Sequence, residues 1–161
     1  GSAKPFSLFF SFNATKRSFI IDNKIHFDEV MANNDVMFVL NSNCLTEKIG
    51  IDPFILYCST VNLNSLCFNM NQANLDARFG VALRHNRKIH EIGKGKFQIN
   101  LLNIVLFYRR ISYSLFFKQY VNYLKESSFP MLWNDLNLCL LGLYRVVFHS
   151  NENLRKLQKS N

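Results

Sequence analysis

The sequence is short of the residues that break, staple or acidify a chain. Three Pro and six Gly among 161 residues leave no Pro/Gly-rich linker and no low-complexity block. One globular domain over 6–150 is therefore expected, a length that can bury a core without cross-links. Four Cys are present, at 44, 58, 67 and 139. None forms a CxxC pair or stands at zinc-ligand spacing from a His. Reduced thiols in an intracellular protein, nuclear or cytoplasmic, are the expectation. Acid is scarce, with 11 Asp and Glu against 19 Lys and Arg, and it clusters nowhere. That leaves no visible pair of carboxylates for acid–base work. No apolar run approaches the ~20 residues of a membrane span. Phe6–Phe12 is too short, and too interrupted by Ser, for a signal peptide.

Catalytic signatures are also missing. GxGxxG, GxxxxGK[ST], HExxH and GxSxG do not occur. Gly93-Lys94-Gly95-Lys96 lacks the spacing of a phosphate loop. The four His, at 26, 85, 90 and 149, suit surface or hydrogen-bonded roles. No cofactor, no metal and no enzymatic activity are expected.

What is abundant is apolar. Hydrophobic residues make up 48% of the chain and aromatic residues 14%, which is the balance of a folded protein. Phe occurs 16 times and Asn about 20 times. With frequent Lys, Ile and Tyr this resembles the product of AT-rich coding, a bias without chemistry. Gly1-Ser2 reads as a cloning scar with a disordered leader to residue 5, and 151–161 as a polar extension. Together they suggest a domain cut from a longer protein.

Periodicity divides the chain. Phe6, Leu8, Phe10 and Phe12 alternate with polar residues, as on a strand with one buried face. Residues 17–22 predict its hairpin partner and 25–27 a short third strand, with Asp28 placed to cap a single helical turn. Val36–Leu40 predicts a buried strand and 54–71 a hairpin. Leu75, Ala77, Phe79, Val81 and Leu83 predict another strand, with a helix as the rival. The phase switch between 97–101 and 102–108 fits a β-bulge. From Tyr113 the spacing becomes helical, through Phe116, Tyr120 and Leu124. Ser127 or Ser128 and Pro130 open a last helix, whose stripe of Leu132, Leu136, Cys139, Leu143 and Val146 is expected to lie on the sheet. The expected class is α+β: a mostly antiparallel curled sheet or partly open barrel of about seven strands followed by two C-terminal helices.

Two features carry functional expectations. Arg84, Arg87, Lys88, Lys94 and Lys96 fall on one predicted turn, and Arg109 and Arg110 form a second basic spot. With a net charge of +8, they are candidate contacts for phosphate or an acidic partner. The plainer reading is a solvated hairpin tip. No aromatic residue lies between Arg84 and Lys96 for base stacking. On the last helix Leu141 shares a polar face with Asn134, Asn137 and Arg145, and Phe148 ends that stripe. Leu141, Arg145 and Phe148 are the candidate protein interface. The expected function is a non-catalytic protein-interaction module of a larger intracellular protein, self-associating through its last helix. The alternative is a nucleic-acid-binding domain using the basic turn 84–96.

Overall fold

The computed structural model describes residues 15–47 and 71–158, with side chains along the last helix as far as Tyr144. Among the described residues there are six α-helices and no strand. They are α1 (Arg17–Asp22), α2 (Val36–Leu45), α3 (Gln72–Glu91), α4 (Leu101–Phe107), α5 (Tyr113–Glu126) and α6 (Phe129–Gln158). Short 3-10 turns occupy Gly95–Phe97 and Tyr108–Arg110. The chain divides into two compact units, Gly1–Val81 and Ala82–Asn161, with the boundary inside α3.

The first unit contains α1, α2 and the opening of α3. After α1 the chain turns back through Lys24, at φ 51. Lys24 N–H donates to Ile21 O and Ile25 N–H to Ile20 O, at 3.1 and 3.0 Å. This pair of bonds is the Schellman helix end, and it delivers Ile25 to the interior. Phe27 stacks on Phe38 with ring centroids 4.2 Å apart. Val36 and Leu40, one turn apart on α2, are buried. α3 is opened by Asn71, whose Oδ1 accepts from Asn74 N–H at 2.9 Å, as an N-cap does.

The second unit begins part-way along α3. Ala82, His85, Asn86 and Ile89 are buried there. α3 ends in a second Schellman motif, with Lys94 N–H on Ile89 O at 2.8 Å and Gly93 N–H on His90 O at 3.0 Å. Gly93 takes the left-handed position at φ 69. Gly95 lies against the His90 ring so closely that a Cβ would sit 2.6 Å from Cε1. Asn86 clamps the following segment, donating from Nδ2 to Ile99 O at 2.7 Å and accepting Ile99 N–H at 2.8 Å. Asn100 Oδ1 then caps α4 through Asn103 N–H at 2.9 Å.

These elements overturn the α+β expectation. Arg17–Asp22 is helix α1, Val36–Leu40 opens α2, 75–83 lies within α3, and 102–107 lies within α4. Residues 25–27 have no regular structure, and 29–32 form bends rather than a helical turn capped by Asp28. The segments 6–12 and 54–70 lie outside the described residues. In α3 the apolar residues satisfy both periods. Leu75, Phe79, Ala82 and Ile89 step by four, three and seven, which places them on one helix face. The Asn71 cap decides for the helix. In 101–107 the strand-like run Leu-Leu-Asn-Ile-Val is overridden by packing, which buries Leu101 and Val105 one turn apart. What reads as a β-bulge is the capped start of α4. The helices read at 113–124 and from Pro130 are present as α5 and α6.

Candidate functional site

α6 is inverted relative to an ordinary surface helix. Its inner face carries Met131 and Asp135, one turn apart and both buried, with Leu132, Leu138 and Cys139 half-buried. Its outer face carries Phe129, Trp133, Leu136, Leu140, Leu143 and Tyr144, all exposed. Trp133 is 56% exposed and Leu136 45%. At 100° per residue these outer positions lie on the side opposite Met131 and Asp135. The expected sheet-facing stripe is therefore corrected: Leu136 and Leu143 point outward.

A buried polar network fixes that orientation. Asp135 is 0% exposed. Its Oδ1 accepts from Gln98 Nε2 at 2.6 Å and from Leu101 N–H at 3.2 Å, and its Oδ2 accepts from the Tyr123 hydroxyl at 3.0 Å. The backbone of Leu102 also donates to it, so the carboxylate sits at the start of α4, where unpaired N–H groups collect. Gln98 Nε2 also donates to Met131 O at 2.9 Å, and its Oε1 lies 2.7 Å from His90 Nε2. Because that amide oxygen can only accept, His90 Nε2 carries the proton. One side chain thus ties α4, α5, α6 and the turn after α3 together.

Electrostatics follow from burial. Desolvation raises the Asp135 carboxyl above the usual range, against the hydrogen bonds from Gln98, Tyr123, Leu101 and Leu102. Burial, then the Asp135 charge, pushes the Tyr123 phenol far up, keeping it a proton donor. His85 is also buried. Its Nδ1 lies 3.2 Å from Asn86 Oδ1, which already accepts from Ile99, so Nδ1 is the protonated nitrogen. Nε2 is left buried without a hydrogen-bond partner. Desolvation lowers the His85 pKa, with the Asn86 bond opposing.

Among the described residues no three His, Cys, Asp or Glu stand close enough to hold a metal. Cys44 and Cys139 are free thiols, and Cys139 Sγ accepts from Asn100 Nδ2 at 3.2 Å. Cys58 and Cys67 lie outside the described residues. No described helix is long and apolar enough to cross a membrane.

The basic residues do not share a hairpin tip, because 84–91 is the second half of α3. Arg84 is exposed and Lys88 half-buried. Arg87 reaches α5, where its Nη2 donates to Glu126 Oε2 at 2.5 Å and to Glu126 O at 3.1 Å. Lys94 closes the helix end, and Lys96 Nζ sits 5.0 Å above the Phe97 ring. Arg109 and Arg110 are exposed on the 3-10 turn after α4, with Arg110 4.9 Å over Phe107. Leu141 is exposed on the flank of the outer stripe. Arg145 and Phe148 lie on α6, and their side chains fall outside those described.

No family model, no curated protein and no solved structure matches this chain.

Spacing alone does not reveal the outer stripe, because leucines at helical spacing are normally core. One signal could have exposed it. Asp135 is the only charged residue from Phe129 to Tyr144. A lone acid in an apolar helix either faces water or is fully satisfied inside, and the second case turns the leucines outward.

Proposed function

We propose that this chain is a non-catalytic protein-interaction module that self-associates through the outer face of α6. The observation that carries the reading is the exposure of Phe129, Trp133, Leu136, Leu140 and Leu143 along one helix. Their 4-3-4-3 spacing is that of a helix–helix seam, in which each side chain enters a gap on a facing helix. Exposed apolar stripes of this length mark interaction surfaces, and Trp and Tyr dominate the energetics of such interfaces.

A second copy fits a seam without charge. Each molecule carries +8, so two copies repel at long range, and only an uncharged contact surface adds no close-range repulsion to that. The stripe meets that condition, since its helix holds no charge before Tyr144 except the buried Asp135. Leu141 would widen the interface at one flank.

Sedimentation velocity across a concentration series tests the proposal. The expected result is a dimer that strengthens with added salt, while Leu136→Ser/Leu140→Ser remains monomeric and folded. Trp133, the sole Trp, should shift its emission to the blue as the dimer forms. A wild-type chain that stays monomeric at every concentration overturns the reading. Salt-weakened binding to oligonucleotides by that monomer would instead favour nucleic acid.

A further inference from the structure

We propose that the outer face of α5 is a docking surface for an anionic membrane, distinct from the α6 stripe. The first observation is the exposed side of α5. Tyr113, Phe117, Tyr120, Val121 and Leu124 all lie on one stripe, with Tyr113 71% and Phe117 62% exposed. The inner side is held by buried Tyr123; Tyr120 packs on Tyr123 and Phe116 at one edge of the stripe, and Tyr113, Phe117, Val121 and Leu124 remain exposed.

The second observation is charge. Between Glu91 and Glu126 there is no acidic residue, whereas Lys94, Lys96, Arg109, Arg110, Lys118 and Lys125 all fall there. Glu126 itself is paired with Arg87. Lys118 and Lys125 follow Phe117 and Leu124 directly, so they flank the apolar stripe on one edge of the helix. A shallow depression there is lined by Phe117, Val121, Asn122, Lys118 and Lys125. Arg109 and Arg110 are exposed just before α5 begins.

An apolar stripe of Tyr, Phe, Val and Leu edged by Lys is the composition of a helix lying in a lipid interface. Positive charge without compensating acid complements the phosphates and carboxylates of an anionic leaflet. The aliphatic members favour lipid over single-stranded nucleic acid. Val121 and Leu124 can enter an acyl layer, but they offer no ring for a base to stack on. The docking is peripheral, since no described helix can cross the bilayer.

Vesicle co-sedimentation of the full chain tests this. The probes are phosphatidylcholine vesicles with and without phosphatidylserine, at low and high salt. Binding is expected only with phosphatidylserine and should fall as salt rises. One basic residue at an anionic surface corresponds to roughly fivefold in affinity, so Lys118→Gln/Lys125→Gln should weaken binding about thirtyfold. Phe117→Ser/Val121→Ser should weaken it as well, with an unchanged melting temperature because both residues are exposed. Leu136→Ser/Leu140→Ser should bind vesicles as the wild type does, which separates this surface from the self-association stripe. Equal binding to both vesicle types overturns the proposal. So does binding to phosphatidylserine vesicles that survives both α5 double variants. Loss of binding only in the Lys pair, together with tight oligonucleotide binding by the Phe117→Ser/Val121→Ser variant, would assign the face to nucleic acid instead.

Discussion

The two faces of α6 invert the usual relation between polarity and burial. Inward lies a carboxylate held by Gln98, Tyr123 and the start of α4. Outward lie Trp133, Leu136, Leu140 and Leu143. The inner face obtains its cohesion from directional bonds, each of which fixes an angle as well as a contact. The outer face presents non-directional apolar area that a partner can cover. Burial of a satisfied polar group thus frees the leucines of a helix for recognition, at the expense of a core that tolerates no gap in its hydrogen bonds.

The sharpest way to break that comparison is to truncate one residue from each face. Asp135→Ala strands the Tyr123 hydroxyl and the Leu101 N–H without their acceptor and leaves Gln98 Nε2 with Met131 O alone. The expected loss is about 2–4 kcal/mol, read as an earlier urea midpoint. Leu136→Ala, its immediate neighbour, should stay within about 0.5 kcal/mol of wild type. If Leu136→Ala is the more damaging of the two, the assignment of inner and outer faces is wrong.

Hydrophobic pattern alone points the other way, which shows what was legible. The positions of α5 and α6 are readable because three- and four-residue spacing is sustained over many residues. Their orientation is not, because spacing identifies a stripe without saying what covers it. α1, α2 and α4 are illegible for a different reason. They have 6, 10 and 7 residues, too few to separate a helical period from an alternating one, and Phe, Ile and Val bias such runs toward strand. The informative residues were the Asn. Asn71 and Asn100 cap helices, and Asn86 clamps Ile99. An Asn-rich composition makes each of these look incidental. The candidate site fared similarly: the basic residues are countable in the sequence, but their spread over α3, its terminal turn and the turn after α4 depends on the fold.

A second contrast, smaller in effect, separates two buried titratable groups with opposite pH signatures. The Asp135 carboxyl is raised above its ordinary value of 3.8 by burial. The folded state then favours the proton, so this group's contribution is full below that value and is lost as pH climbs through the folded pKa. The His85 imidazole is lowered below 6.5 by burial. Its contribution is present above 6.5 and is lost as pH falls toward the folded pKa. Thermal melts across pH should show Asp135→Asn gaining on wild type as pH rises above 3.8, because Asn keeps an oxygen for Gln98 and Leu101. His85→Leu should gain on wild type as pH falls below 6.5, because leucine takes up no proton that unfolding would favour. Difference curves with these slopes exchanged would refute the assigned burial.

The finest comparison is between the two Schellman ends. Both make the same pair of bonds, but one places Gly93 in the left-handed position and the other Lys24. A side chain at positive φ crowds its own carbonyl, at roughly 1 kcal/mol, whereas Gly avoids the crowding and loses more entropy on folding. Lys24→Gly should therefore stabilise the chain by a few tenths of a kcal/mol to about 1 kcal/mol. Gly93→Ala should destabilise it by about 1 kcal/mol, since nothing lies within 4 Å of the added Cβ and backbone strain is the whole effect. Paired melts of the two variants check both signs. A stabilising Gly93→Ala would mean that α3 does not end in a left-handed residue, and the turn that carries Gly95 onto His90 would then need a different origin.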